Sequence, residues 1–150
     1  MPRRSTLWIV FCLGAVALCG CSRGVPLGQV DGTVRLDGAP LADAMVTFVP
    51  EDRKLPQSMG FTDADGRFQL RCNNGGIGAA VGAHRVIVID AARAPSGKGK
   101  DDDELPEGKD APASRVPPKY TRPDKTPLRQ AVEAGSQDVA IEIDSGRKAS

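Results

Sequence analysis

Few residues in this chain could do chemistry. One histidine and four cysteines stand among 150 residues. Cys72 and His84 could form a thiol–imidazole dyad, in which the ring takes the thiol proton and the thiolate attacks. That chemistry needs hydrogen-bond reach in a cleft. Both residues instead alternate with polar neighbours, as though facing a core, and a buried thiol behaves as a small hydrophobe. A single histidine excludes a His-rich metal centre and leaves a Ser-His-Asp triad without a spare candidate. Asp63-Ala64-Asp65-Gly66 invites a calcium reading. An EF-hand loop wants ligands at its first, third and fifth places, Gly at the sixth and Glu at the twelfth. From Asp63 the fifth, sixth and twelfth places hold Arg67, Phe68 and Asn74, so the pattern fails. Asp and Gly are also what a tight turn requires. Gly76 and Gly78 begin a phosphate fingerprint, but Val81 stands where a third small residue belongs. That run leads into a strand rather than a helix N-terminus. The acidic run 101–104 could gather cations weakly, yet such runs are usually just solvated. No catalytic residue, metal or cofactor is expected, and the chain is read as a non-enzyme.

Cys21 has a more specific chemistry. Arg3 and Arg4 precede an apolar run, 7–18 (LWIVFCLGAVAL), and then small residues, the build of a secretory signal peptide. The run is too short to span a membrane, which takes roughly 20 apolar residues. Ser5-Thr6-Leu7 after the arginine pair fit a twin-arginine signal poorly, which favours the general secretory route. The run closes on Leu18-Cys19-Gly20-Cys21, which resembles a bacterial lipobox. Cys19 stands where Ala, Ser or Thr is more usual, and it is small enough to fit. The resemblance implies cleavage after residue 20 and a diacylglycerol on the sulfur of Cys21, so the protein would meet a membrane through its own N-terminal lipid, with palmitate among the acyl chains. Ser22 is not Asp, the residue that often retains such proteins at the inner membrane. The expected location is therefore the bacterial cell envelope, at the outer membrane, facing the periplasm or the surface.

Composition narrows the rest. The formal charge is +1, and loss of Arg3 and Arg4 leaves the remainder slightly negative. There is no basic excess to attract nucleic acid. Without the leader one domain remains, and of its cysteines only Cys72 is free to pair, so no internal disulfide is expected. Seventeen Gly and twelve Pro argue for turns and short strands rather than helices.

The elements that position these residues read as seven strands. Residues 21–28 form the lipidated N-terminus and a tether. Run 29–36 alternates Val30, Gly32, Val34 and Leu36 with polar residues, the period of a half-buried strand. After the turn 37–40, run 44–50 resumes the pattern. Runs 58–62 and 67–72 flank Asp65-Gly66 as a hairpin. A Gly-rich connection, 73–82, leads to 83–90 (AHRVIVID), apolar on both faces from Val86 to Ile89 and hence placed centrally. Residues 91–114 are low in apolar content and expected to be disordered. Residues 116–120 read as stiff and extended, 128–133 and 137–144 as a final strand pair, and 145–150 as a flexible tail.

The segments Gly32-Thr33-Val34-Arg35-Leu36-Asp37-Gly38-Ala39-Pro40-Leu41, Thr62-Asp63-Ala64-Asp65-Gly66-Arg67-Phe68 and Gly82-Ala83-His84-Arg85-Val86 resemble the carboxypeptidase regulatory-like domain. Pro117-Pro118-Lys119-Tyr120 resembles an element of small bacterial lipoproteins built from that one domain. The resemblance covers about Gly28 to Ile143, and the domain is expected over residues 29–144 with its insertion at 91–114. It implies an all-β, seven-stranded Greek-key β-sandwich of the transthyretin (prealbumin-like) type, acting as a binding or structural scaffold module with an envelope protein or a polysaccharide as partner. His84 departs from it, where an aromatic is common, as does the long acidic insertion. The alternative is a carbohydrate-binding or hydrolase-accessory subunit. Sugar platforms use exposed rings. Trp8 lies in the leader and Phe48 and Phe68 fall on core faces, which leaves Tyr120.

Overall fold

The computed structural model describes residues 24–93 and 113–146. Ten strands follow in order: β1 (Leu27–Leu36), β2 (Ala39–Pro40), β3 (Ala44–Pro50), β4 (Ser58–Phe61), β5 (Arg67–Gln69), β6 (Arg71–Cys72), β7 (Ala79–Ala80), β8 (Gly82–Asp90), β9 (Arg129–Val132) and β10 (Gly135–Ile143). Helical structure among the described residues is limited to two 3-10 turns, Ala91–Arg93 and Pro118–Tyr120.

β1 is the axis of the first sheet. It runs parallel to β10, with Gly28 opposite Gly135 and Leu36 opposite Ile143. Its other edge is shared by β7, β5 and β2, each antiparallel to it. The second sheet is antiparallel throughout, in the order β6-β4-β3-β8-β9. Strand alternation sends every second side chain into the space between the sheets. Val30 and Val34 of β1 and Ile141 of β10 thereby join Val46 and Phe48 of β3 and Val88 of β8 in one buried cluster. Burying each such side chain contributes roughly 1.5–3 kcal/mol. The protein is all-β, two sheets over one apolar layer. Residues 113–128 close a flank of it. Val116 and Tyr120 are buried, and Thr126 donates through Oγ1 to Val86 O at 2.7 Å.

Each of the seven runs read from the sequence holds strand. β2 and β7 are additional pairings, too short to show alternation. The hairpin 58–62/67–72, however, divides between the sheets. β5 pairs with β1 and β6 with β4, and the chain crosses at buried Leu70, whose amide donates to Val30 O and whose carbonyl accepts from Gly78. Of Asp65-Gly66 only Gly66 has a positive φ, 73°. Asp63 holds the turn instead, its Oδ1 accepting from the amides of Asp65 and Arg67 at 2.9 Å. The Gly-rich connection contains β7. Gly78 has φ 103°, and a Cβ there would collide with Gly28 O, so this glycine serves close strand approach.

Several expected boundaries move. β1 begins at Leu27, so residues 27–28 belong to the sheet rather than the tether. Residues 91–93 and 113–114 are ordered rather than part of a disordered loop: Arg93 Nη1 donates to Ala113 O at 2.8 Å, and Arg93 Nε lies 4.0 Å from the carboxylate of buried Asp90. Residues 94–112 lie outside the described residues. Pro118–Tyr120 forms a turn rather than an extended rod, because Thr121 N reaches back to Pro118 O. Ser145 is held, not frayed: its amide and hydroxyl donate to the Asp37 carboxylate at 2.9 and 2.6 Å. Residues 1–23, including the leader and Cys21, and residues 147–150 lie outside the described residues.

Candidate functional site

Cys72 and His84 are both buried and both face the core. They stand on β6 and β8, three strand-to-strand steps apart in the second sheet. At about 4.8 Å per step that is about 14 Å between backbones, too far for a dyad. Tyr120 is buried as well, and its hydroxyl accepts from Asp144 N at 3.3 Å. It offers no exposed platform for a sugar. Among the described residues no group of three or more His, Cys, Asp or Glu is arranged to hold a metal ion. The acidic run 101–104 and Cys21 lie outside the described residues.

His84 is fully enclosed. Its ring packs against Phe48 with centroids 5.8 Å apart, and Nδ1 lies 3.0 Å from Gly82 O. Nε2 has no partner among the described residues. The neutral tautomer that donates from Nδ1 to Gly82 O fits this site, and a second proton would place an unpaired cation in the core. Burial therefore pushes the ring below its ordinary value of 6.5, and the Gly82 carbonyl offsets this only in part. Above pH 6.5 the ring is neutral in the folded and unfolded chain alike. Below it the unfolded chain binds a proton that the folded chain refuses. Stability therefore declines as pH falls from 6.5 and levels off beneath the folded value. Urea titrations between pH 7.5 and 4.5 should show this decline in the wild type and a flat profile in His84→Phe. An unchanged slope in the variant would contradict the assignment.

The outer side of the second sheet is unusual. β4 turns Ser58 and Gly60 inward and Met59 and Phe61 outward. Met59 lies opposite Thr47 on β3 and Arg71 on β6, and Phe61 lies opposite Met45. Thr47 and Met45 lie opposite Ile87 and Ile89 on β8, and Ile77 bridges to Arg71. Cross-strand partners share a face. One row therefore reads Ile77, Arg71, Met59, Thr47, Ile87, and the next Phe61, Met45, Ile89. Met59, Phe61 and Ile77, 38, 60 and 53% exposed, are the large exposed hydrophobics among the described residues, and all three stand here. A solvated antiparallel face normally carries polar residues at these positions. The sequence reading missed this face, although SMGFT contains a signal for it. Thr62 must point inward, donating from Oγ1 to Leu41 O at 2.7 Å and accepting from Ala44 N at 2.8 Å. Gly60 must lack a side chain, because a Cβ would strike Gln69 O. With those two inward, Met59 and Phe61 face out.

A shallow hollow of about 630 Å³ adjoins Phe61 on the first sheet's outer side. Asp31 lies between Asp138 and Gln69 in register. Its two carboxylate oxygens accept from Gln69 Nε2 and Gln29 Nε2, each at 2.9 Å. These amides fix Asp31 as an oriented acceptor. A second hollow, of about 520 Å³, is bordered by Glu51 and Arg85. Glu51 lies 3.8 Å from Arg85 and 3.7 Å from Arg129, so its charge is already paired.

In comparisons with known proteins, no family model matches this chain, no curated protein matches its sequence and no solved structure matches it.

Proposed function

We propose that this chain is a lipid-anchored, non-enzymatic envelope protein acting as a binding or structural scaffold module. In this reading the two sheets form the seven-stranded Greek-key, transthyretin-like sandwich of the carboxypeptidase regulatory-like type. The carrying observation is Leu18-Cys19-Gly20-Cys21 at the end of a short, positively flanked apolar run. The position of the first strand supports it. From Cys21 to Leu27 the chain can reach at most about 20 Å, so a lipid on Cys21 would keep the sandwich close to the bilayer. The alternative, a carbohydrate-binding or hydrolase-accessory subunit, loses the stacking residue on which it depended, since Tyr120 is buried.

Metabolic labelling with a radioactive fatty acid tests the anchor. Label is expected in the wild type and absent from Cys21→Ala. Equal incorporation into both would sink the proposal.

A further inference from the structure

We infer that the outer face of the second sheet is a bilayer-docking surface. It would lie against anionic phospholipid headgroups with Ile77, Met59 and Phe61 entering the interface. The inference rests on the lipid-anchored reading for its geometry, and it adds a second point of membrane contact that this reading does not require.

The face is apolar where a solvated sheet should not be. β8 carries Val86 and Val88 inward and Ile87 and Ile89 outward. The inward pair is covered by the first sheet, whereas the outward pair is joined by Met45, Met59 and Phe61. Ile87 is itself covered, at 8% exposed, and Met45 and Ile89 are half-buried, so the exposed apolar surface is that of Ile77, Met59 and Phe61. Large exposed apolar side chains gathered on one face mark an interaction surface. The start of the described chain selects the occupant. Leu27 packs directly on Gly76, and Gly76 precedes Ile77, the first residue of the apolar row. The tether therefore reaches the domain beside this face. With at most about 20 Å of chain back to Cys21, the lipid and the face can engage one bilayer together. Charge divides the face: the Phe61 end borders Asp31, Asp63 and Asp138 with Arg67, and the Ile77 end, nearer the tether, carries Arg71. Arg71 stands in the row between Ile77 and Met59, where its stem can lie along apolar surface while the guanidinium reaches a phosphate. At the Val49 end the carboxylates of Glu51 and Asp124 are each met by arginine, Glu51 by Arg85 and Arg129 and Asp124 by Arg122.

The test uses the acylated full chain on vesicles of phosphatidylglycerol and phosphatidylethanolamine. An environment-sensitive dye is attached at Met59→Cys or, on the opposite outer face, at Glu142→Cys. Cys72 is buried and does not compete for label. The inference predicts quenching by spin-labelled lipids at position 59 and little at position 142. Equal quenching at both positions would overturn it. So would a lipid-independent dimer that shields position 59, because the occupant would then be a second copy. A further arm separates this inference from the anchor. Unacylated Cys21→Ala protein should still bind the vesicles weakly, and Met59→Glu with Phe61→Glu should reduce that binding at least about tenfold. Both positions are open to solvent, so the thermal midpoint of the double variant should stay near that of its parent. If Cys21 carries no lipid, this arm still decides: no binding by the unacylated protein, or equal binding by the double variant, rejects the docking face.

Discussion

Replacing Asp90 by alanine should lower the unfolding free energy by about 3 kcal/mol, the low end of the range for removing one member of a buried ion pair, because Arg115 is 30% exposed and water can reach the guanidinium left behind. Asp90 ends β8 with its side chain fully buried. Arg115 grips it from the far side of the insertion. Nε donates to Oδ2 at 2.9 Å, Nη2 to Oδ1 at 2.6 Å, and the Arg115 amide to Oδ2 at 2.8 Å. Nη2 also donates to Ala42 O at 2.8 Å, and Arg93 stands 4.0 Å from Oδ2. Alanine would leave the Arg115 fork without its acceptors and release both ends of the insertion. The hydrogen bonds from the Arg115 side chain hold the Asp90 carboxyl below its ordinary 3.8, against the opposing effect of burial. Its contribution is therefore complete above pH 3.8 and is lost as pH falls through the folded value. That window opens at 3.8, whereas the one in which His84 acts opens at 6.5. Urea unfolding at pH 7 gives the number. A loss under about 1 kcal/mol would mean that the pair contributes no more than a surface pair does. Asp90→Leu combined with Arg115→Met should recover part of the loss, because the uncompensated charge is gone.

The second large effect concerns location. In fractionated cells Cys21→Ala should move from the membrane pellet to the soluble fraction almost completely. Each buried CH₂ contributes about 0.8 kcal/mol, and a single acyl chain holds a protein only marginally, so stable anchoring takes two or more chains. Loss of the sulfur removes all of them at once. The apolar face of the second sheet would leave only weak residual binding. Retention of the variant in a pellet washed with high salt would show that the protein is held by something other than that lipid.

Much of the architecture could be read from side-chain alternation. Val30, Val34, Val46, Phe48, Val86 and Val88 face inward as period-two reading requires. What could not be read depended on contacts distant in sequence. The division of 67–72 at Leu70 follows from pairing with Val30, forty residues earlier. The order at residues 91–93 and 113–114 follows from a carboxylate meeting an arginine across the insertion. Tyr120 is the one tyrosine in the sequence, and nothing local shows that Asp144 waits for its hydroxyl. Phe61 was legible only through the residues on either side of it, a glycine and a threonine that have stronger reasons to face inward. The Cys72–His84 pairing was doubtful in sequence and is ruled out by strand order, a property that no local pattern carries.

The central claim is that Cys21 is the first residue of the working protein and the point at which it joins the membrane. Mass spectrometry of the N-terminal peptide from detergent-extracted protein tests this most directly. The account predicts a peptide that begins at Cys21 and carries the added mass of a diacylglycerol on sulfur. A peptide that begins elsewhere, with Cys21 as a free thiol, would contradict it.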